Sequence, residues 1–447
     1  MTNRFRQTAR VCALQHRARG SVLVLCLLLA SVGSAGLLFL FDIGQTVGAK
    51  SRLVDAADSA AWSAATWRAR VLNYTAYSNR AIIAQEVAVA QAITLESWAR
   101  YFETFAESID ELASVYPPAR AVTYYVAQGA YYSRIATQWA AFAETMARDM
   151  PYLGYKTLLA QSQRVMHYSA GTFGAAAVAN EVAKTTDQRF FAFALPDAQA
   201  WNRFARRYES DDDRQRLKAL VMRSLDEFTR GPRDGDLIIK ALGACIGLGY
   251  RKRGGTTMSP DLERWEAADT GSLHAPSLSG LFGGCGSQEI YKMGWGAAQV
   301  SAVGQRNEIL ADPGGVSLNP KALNEAEQAL GDTDRPTHFG TGIARVFDLD
   351  YERLQNKSFP TSRIAVLARL PWRDIRLART VPAGLDRLAG QSPAAEQSVR
   401  ALAAAEVYFR RPPGPDTRLE YASLYNPYWQ VRLVAPNAVE RALADAY

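Results

Sequence analysis

The 447 residues are enough for two or three domains, and 48% hydrophobic with 21% charged content is ordinary globular composition. The net charge of +7 admits nucleic acid as a partner until it is located: Arg4, Arg6, Arg10, Arg17 and Arg19 all precede residue 21, with no acid among them. Beyond them 46 basic residues face 44 acidic ones, so the excess is a local topology signal and nucleic acid is discounted.

After this basic head (residues 1–20), residues 21–41 read SVLVLCLLLASVGSAGLLFLF, an uncharged run of 21. At the helical rise it measures about 31 Å, the thickness of a hydrocarbon core. Ser21, Leu25, Leu29, Leu37 and Phe41 mark the expected membrane anchor. Asp42, Lys50, Arg52, Asp55 and Asp58 follow and sum to −1. The positive-inside rule then places the N-terminus in the cytoplasm and the rest outside. A cleaved signal peptide would use Gly33-Ser34-Ala35 as its small-residue site. Against that reading, the apolar run resumes at once with Leu37-Leu38-Phe39-Leu40-Phe41.

Residues 42–230 are rich in helix formers and aromatics. Residues 51–69 (SRLVDAADSAAWSAATWRA) predict a helix continuing from the membrane. Its small-residue face, Asp55, Ala56, Ala57, Asp58, Ala60 and Ala61, either packs closely on another helix or is simply solvated. Leu95, Trp98, Phe102, Phe105, Ile109 and Leu112 alternate spacings of 3 and 4, an a/d seam that favours packing within the chain over oligomerisation. Pro117-Pro118 ends that helix. An aromatic helix through Tyr124, Tyr125, Tyr131, Tyr132 and Trp139 follows, then helices near 158–185, 197–208 and 211–229. Asp211-Asp212-Asp213 suits a helix N-terminus.

Residues 231–315 change texture. Gly243, Gly247, Gly249, Gly254, Gly255, Gly280, Gly283, Gly284 and Gly286 crowd together and periodicity fades, so a Gly-rich, loop-rich module is expected. Cys245 and Cys285 are the two cysteines of the outer part. Paired, they would close a loop of about 40 residues and contribute roughly 3–4 kcal/mol; otherwise they are free thiols.

Residues 316–447 open with a short helix near 320–330 and then shift toward period two. Strands are expected at 341–351, 362–370, 406–410 and 429–434, with Pro412-Pro413-Gly414-Pro415 turning the chain between the last two. The fold class is therefore α+β: a transmembrane helix continuing into a mainly helical region, a Gly-rich module, and a small C-terminal β-sheet region.

Signatures of common chemistry are missing. No G-x-S-x-G elbow or P-loop occurs, and the glycine pairs at 247/249 and 340/342 meet Lys252 and Arg345 where a dinucleotide motif needs glycine. His16, His167, His274 and His338 are scattered without zinc spacing, and no calcium loop is present. The expectation is no catalytic residue, no metal and no cofactor. The competing readings are a membrane-anchored enzyme drawing on His167, Glu181 and His274, and a surface adhesin.

In order, the chain carries the basic head ending Arg19-Gly20, the apolar start Ser21-Val22-Leu23-Val24, then Asp42-Ile43-Gly44 and the stretch LVDAADSAA from Leu53 to Ala61. The block YSNRAIIAQEVAVAQ (77–91) and the terminal SLYNPYWQ (423–430) complete the pattern. In these features it resembles the TadE/TadG-like proteins of Flp (Tad, type IVc) pilus assembly. The resemblance implies a non-enzymatic accessory or scaffold protein of the bacterial inner membrane with a periplasmic C-terminal part. Its implied partners are the lipid bilayer and other pilus-assembly membrane proteins or pilins. Two departures narrow it. Leu25 stands where a prepilin carries Glu, five residues beyond Gly20, and no D-x-S-x-S metal motif occurs.

Overall fold

The protein is described from a computed structural model. It covers residues 4–115, 155–240, 247–276, 287–301, 308–309, 313–331, 342–354, 359–378, 398–412 and 420–447, with isolated positions between and side chains in most of these from residue 22. The expected aromatic helix near 119–139 lies outside the described residues but for isolated helical positions such as the exposed Tyr132, and Cys245 and Cys285 lie outside them.

One helix organises the chain. Helix α1 (Arg4–Val115) has 112 residues, about 168 Å at the helical rise. No proline interrupts it before Pro117-Pro118, where the missing N–H and the fixed φ favour an end. Its apolar first part is exposed, and from Ala49 onward one face is buried.

Helix α2 (Tyr155–Val165) passes through a nine-residue π-helical turn (Met166–Gly174) into α3 (Ala175–Thr186). The expected continuous helix is thus a helix with a wide turn in it. Strand β1 (Phe191–Ala194), helix α4 (Ala198–Phe204), strand β2 (Ala205–Arg207), helix α5 (Asp211–Ser224) and the short α6 (Glu227–Arg230) follow. Helix α5 is capped by Ser210, whose Oγ accepts from the Asp213 N–H at 3.2 Å. The three aspartates form its first turn rather than its cap.

The Gly-rich stretch corrects the expectation of loops. Strands β3 (Gly235–Lys240), β4 (Gly247–Met258), β5 (Arg264–Pro276) and β6 (Ser287–Ser301) form one antiparallel sheet in that order. The glycines serve close approach. A Cβ on Gly296 would collide with the Ser97 carbonyl oxygen and lie 2.5 Å from the Tyr101 nitrogen, both on α1. Without side chains there, α1 lies directly on the strand. The half-buried seam at Trp98, Phe102 and Phe105 flanks this contact, so this part of α1 docks on a sheet through Ser97, Tyr101 and Thr104 rather than on a helix.

Helix α7 (Pro320–Gly331) precedes β7 (Phe347–Leu349), which pairs with β2. Strands β8 (Thr361–Pro371), β9 (Ser398–Phe409) and β10 (Trp429–Val434) join β1 in a second four-stranded antiparallel sheet, ordered β1-β8-β9-β10. Helix α8 (Ala438–Ala446) ends the chain. Strand β1, from the mainly helical part of the sequence, is therefore an edge of the C-terminal sheet.

Both sheets are sandwiched. Ile364, Val366, Ala368 and Leu370 face α1 and α3, while Ala365 and Leu367 face α8, the period-two division expected of a strand buried on both sides. In the other sheet Trp265 and Ala267 pack with Ile82, Val89 and Ile93 of α1, while Ala268 and Ala297 pack with Ala326 and Leu330 of α7. The fold is α+β, strung along a single helix.

Candidate functional site

The apolar segment is the most exposed hydrophobic surface of the described residues. Leu25, Leu29, Leu37 and Phe41 are 57%, 62%, 70% and 50% exposed, and Cys26 is exposed beside them. Ser21 belongs to α1, but its side chain lies outside the described residues. The segment's mean hydropathy is 2.5 and none of it is buried. A continuous apolar cylinder of this length is unstable in water and matches the hydrocarbon core of a bilayer. The folded part begins at its edge: Asp42 Oδ1 accepts from the Ala378 N–H at 2.6 Å, and Ala49 and Leu53 enter the core.

The small-residue face is used inside the chain. Ala56, Ala57, Ala60 and Ala61 are at most 1% exposed and pack in the core that includes Ala175, Ala179 and Ala183 of α3. Asp55 is exposed. Asp58 is half-buried, and its carboxyl is pushed up by burial and by Asp55. Small side chains on both helices let the backbones approach, so this face is already occupied by α3 and the β8–β9 surface.

Two turns further, α1 inserts polar groups into the core. Arg68 is 1% exposed; Nη2 and Nη1 reach the two oxygens of Asp197 at 2.8 and 2.5 Å, and its guanidinium lies 4.9 Å from the Trp201 ring centre. The π-helical turn supplies acceptors. Trp67 Nε1 donates to Ala170, Arg68 Nε to Gly171 and Trp201 Nε1 to His167, each at 2.9 Å. His167 stacks on Trp201 and is held down to a pKa of about 4 by burial, then by the Arg68 charge.

The two sequence blocks 77–91 and 423–430 meet in space. Asn79 Nδ2 donates to the carbonyls of Phe347 and Leu424, both at 2.8 Å, while its oxygen accepts from Gln163 at 2.7 Å. Arg80 reaches the Tyr425 carbonyl and the Asn426 side chain. Asn73 pairs with the Trp429 backbone through both its amide groups, at 3.1 and 3.0 Å. Glu86 accepts from Trp265 Nε1 at 3.0 Å and pairs with buried Lys156 at 3.2 Å. Of the polar residues on this part of α1, Asn79 and Glu86 are buried in two separate sets of partners, while Gln85 is half-buried and Arg80 exposed. Asp348 adjoins the Asn79 set through Leu424, accepting from Tyr208 and the N–H groups of Leu349 and Leu424; burial pushes its carboxyl up.

The residues of the enzyme reading are not brought together. His167 sits against Trp201, Glu181 is exposed on α3, and His274 is bonded to Ser287 and Asn319 in the other sheet. Among the described residues no three His, Cys, Asp or Glu side chains are placed to hold a metal. A concavity of about 530 Å³ is lined by Phe359, Tyr408, Arg410 and Arg432, and one of about 350 Å³ by Lys156, Arg164, Arg207 and Arg345. Among the described residues, neither is lined by a histidine or a carboxylate.

From residue 22 α1 is apolar and exposed for the length of a bilayer core and is then the axis of the fold, the arrangement of a candidate single-pass membrane anchor. Residues 20–68 match the family model described as putative Flp pilus-assembly TadE/G-like. The match takes in the apolar segment and the buried alanine face of α1. No curated protein and no solved structure matches the chain.

Proposed function

We propose that the chain is a non-enzymatic accessory or scaffold protein of Flp (Tad, type IVc) pilus assembly. Residues 21–41 anchor it in the bacterial inner membrane, with the basic head of residues 1–20 in the cytoplasm and the remainder in the periplasm. The observation that carries this reading is the continuity of α1. The segment matching the TadE/G-like family model runs without a break into the helix on which both sheets are built.

A helix with no linker couples the position of the span to the position of both sheets. Partner contacts in the bilayer fall on Leu25, Leu29, Leu37 and Phe41, because the alanine face above them is filled by α3. Those partners are other pilus-assembly membrane proteins or pilins.

The test is deletion of the gene in its host with restoration from a plasmid. Surface filaments are counted by electron microscopy and pilin is measured in the sheared fraction. Loss of both, with restoration by the plasmid, is expected. Unchanged filaments and pilin would overturn the assembly reading.

A further inference from the structure

The membrane-proximal end of the folded part carries a set of basic and aromatic side chains that local sequence does not predict. Asp42, the first residue after the apolar run, is bonded to Ala378, 336 residues away. That bond brings the turn Trp372–Asp374 and the residues after it beside the end of the span. Ile375 is buried and holds the turn in the core, while Arg373 and Arg376 are exposed and Trp372 and Leu377 are half-buried.

Two further contacts tie cations to this face and to the side of the fold above it. Arg189 donates to the Asp374 carbonyl at 2.5 Å. Lys50, about two turns of α1 beyond Asp42, donates to the Arg400 carbonyl. Phe191 and Tyr447, 52% and 50% exposed, add apolar and amphipathic rings near Arg369 and Arg400. The acids at this end have partners: Asp187 is bonded by Arg189, Asp374 lies 3.9 Å from the Arg373 Nε, and Asp42 accepts from the Ala378 N–H.

The span fixes what this surface meets. If residues 21–41 fill the hydrocarbon core, Asp42 and Ala378 sit at its boundary, and the headgroup layer beyond is about 5–7 Å deep. An exposed arginine at that level reaches phosphate, and aromatic rings sit stably in the same layer.

We infer that Arg373 and Arg376, with Trp372 beside them, form a collar that seats the folded part on anionic phospholipid headgroups. The collar fixes the height and tilt of α1 relative to the bilayer. It does not oppose the insertion signal, which is read from charges near the span in sequence, because Arg373 and Arg376 arrive only through tertiary structure. The inference rests on the reading that α1 spans the membrane.

The full chain is to be placed in nanodiscs of phosphatidylcholine alone and of phosphatidylcholine mixed with phosphatidylglycerol, and amide hydrogen exchange followed over residues 371–378. Exchange is expected to slow about fivefold in the anionic disc, the factor equal to the roughly 1 kcal/mol one basic residue gains at an anionic surface. Raised salt should remove the difference, and so should the paired substitutions Arg373→Glu and Arg376→Glu. Equal exchange in the two discs, or slowing that survives both substitutions, overturns the collar and leaves the anchor standing. Failure of the chain to remain with either disc overturns the anchor reading and the collar together.

Discussion

Asn79 on α1 donates both of its amide hydrogens to backbone carbonyls more than 260 residues away, those of Phe347 and Leu424, at 2.8 Å each. It is fully buried. Asn79→Ala would leave those two carbonyls and the Gln163 amide short of partners in a place water does not reach. At about 1–3 kcal/mol per unsatisfied buried group, with partial relaxation, the loss should be on the order of 3 kcal/mol. Tyr77→Ala, on the exposed side of the same turns, should stay within about 0.5 kcal/mol. Denaturant midpoints in detergent check the pair. Equal midpoints would mean that the join between the two sequence blocks contributes nothing to the fold.

The glycines of the second sheet separate into two kinds. Gly296→Ala drives a methyl into two backbone atoms of α1, the Ser97 oxygen and the Tyr101 nitrogen, and no rotamer change can relieve a backbone contact. Strand and helix must move apart, at an overpacking cost of about 3 kcal/mol or more. Gly235→Ala in β3 meets nothing within 4 Å and should change stability by less than about 1 kcal/mol, in either direction. Thermal unfolding of both variants measures the contrast. Similar melting for the two would show that α1 does not lie on β6 as closely as described.

These residues also account for what is legible in the sequence. The span is evident because 21 uncharged, mostly apolar residues in a row match a bilayer and exceed what a soluble core helix needs; β10 is evident from its alternation, and β8 from a short apolar run of strand length. The Gly-rich sheet is hidden for two reasons. Gly294 and Gly296 give up side chains so that α1 can approach, which mimics loop composition. Buried polar groups then break the apolar alternation: Asp269 is fully buried, accepting from Ser97, Arg233 and Lys252. The alanine face of α1 is visible as a packing surface, but not that its partner is α3 of the same chain. The collar is invisible, since the charges adjacent to the span sum to −1 and the arginines that matter return from across the fold.

Arg68 and Asp197 offer a test of how the π-helical turn is held. Arg68 is 1% exposed on its side chain, while Asp197 is 23% exposed. Asp197→Ala would leave the guanidinium buried with only carbonyl acceptors from Gly171 and Arg363, a loss of about 3–5 kcal/mol for an uncompensated buried charge. Asp236→Ala removes the partner of Arg253 at a more exposed site and should stay within about 1 kcal/mol. Chemical denaturation of the two variants gives the comparison. A small effect at Asp197 would indicate that Arg68 finds water or another acceptor.

His167 sets a pH dependence whose sign is fixed by its surroundings. Burial and the Arg68 charge lower its pKa from 6.5 to about 4 in the folded chain. Unfolding therefore releases a histidine that binds a proton more readily. The stabilisation is fully present above pH 6.5 and is progressively lost as pH falls toward about 4. Across that window the loss amounts to roughly 3 kcal/mol. His167→Phe keeps a ring between Trp201 and Phe347, where the histidine lies 5.0 and 4.8 Å from them, and has nothing to titrate. Comparing the pH profiles of unfolding for the two proteins removes the contribution of every carboxylate they share. The native chain should lose stability relative to the variant between about pH 6.5 and 4.5. Parallel profiles would show that His167 accepts a proton in place, and that the seat of the π-helical turn is more open to water than its 2% exposure implies.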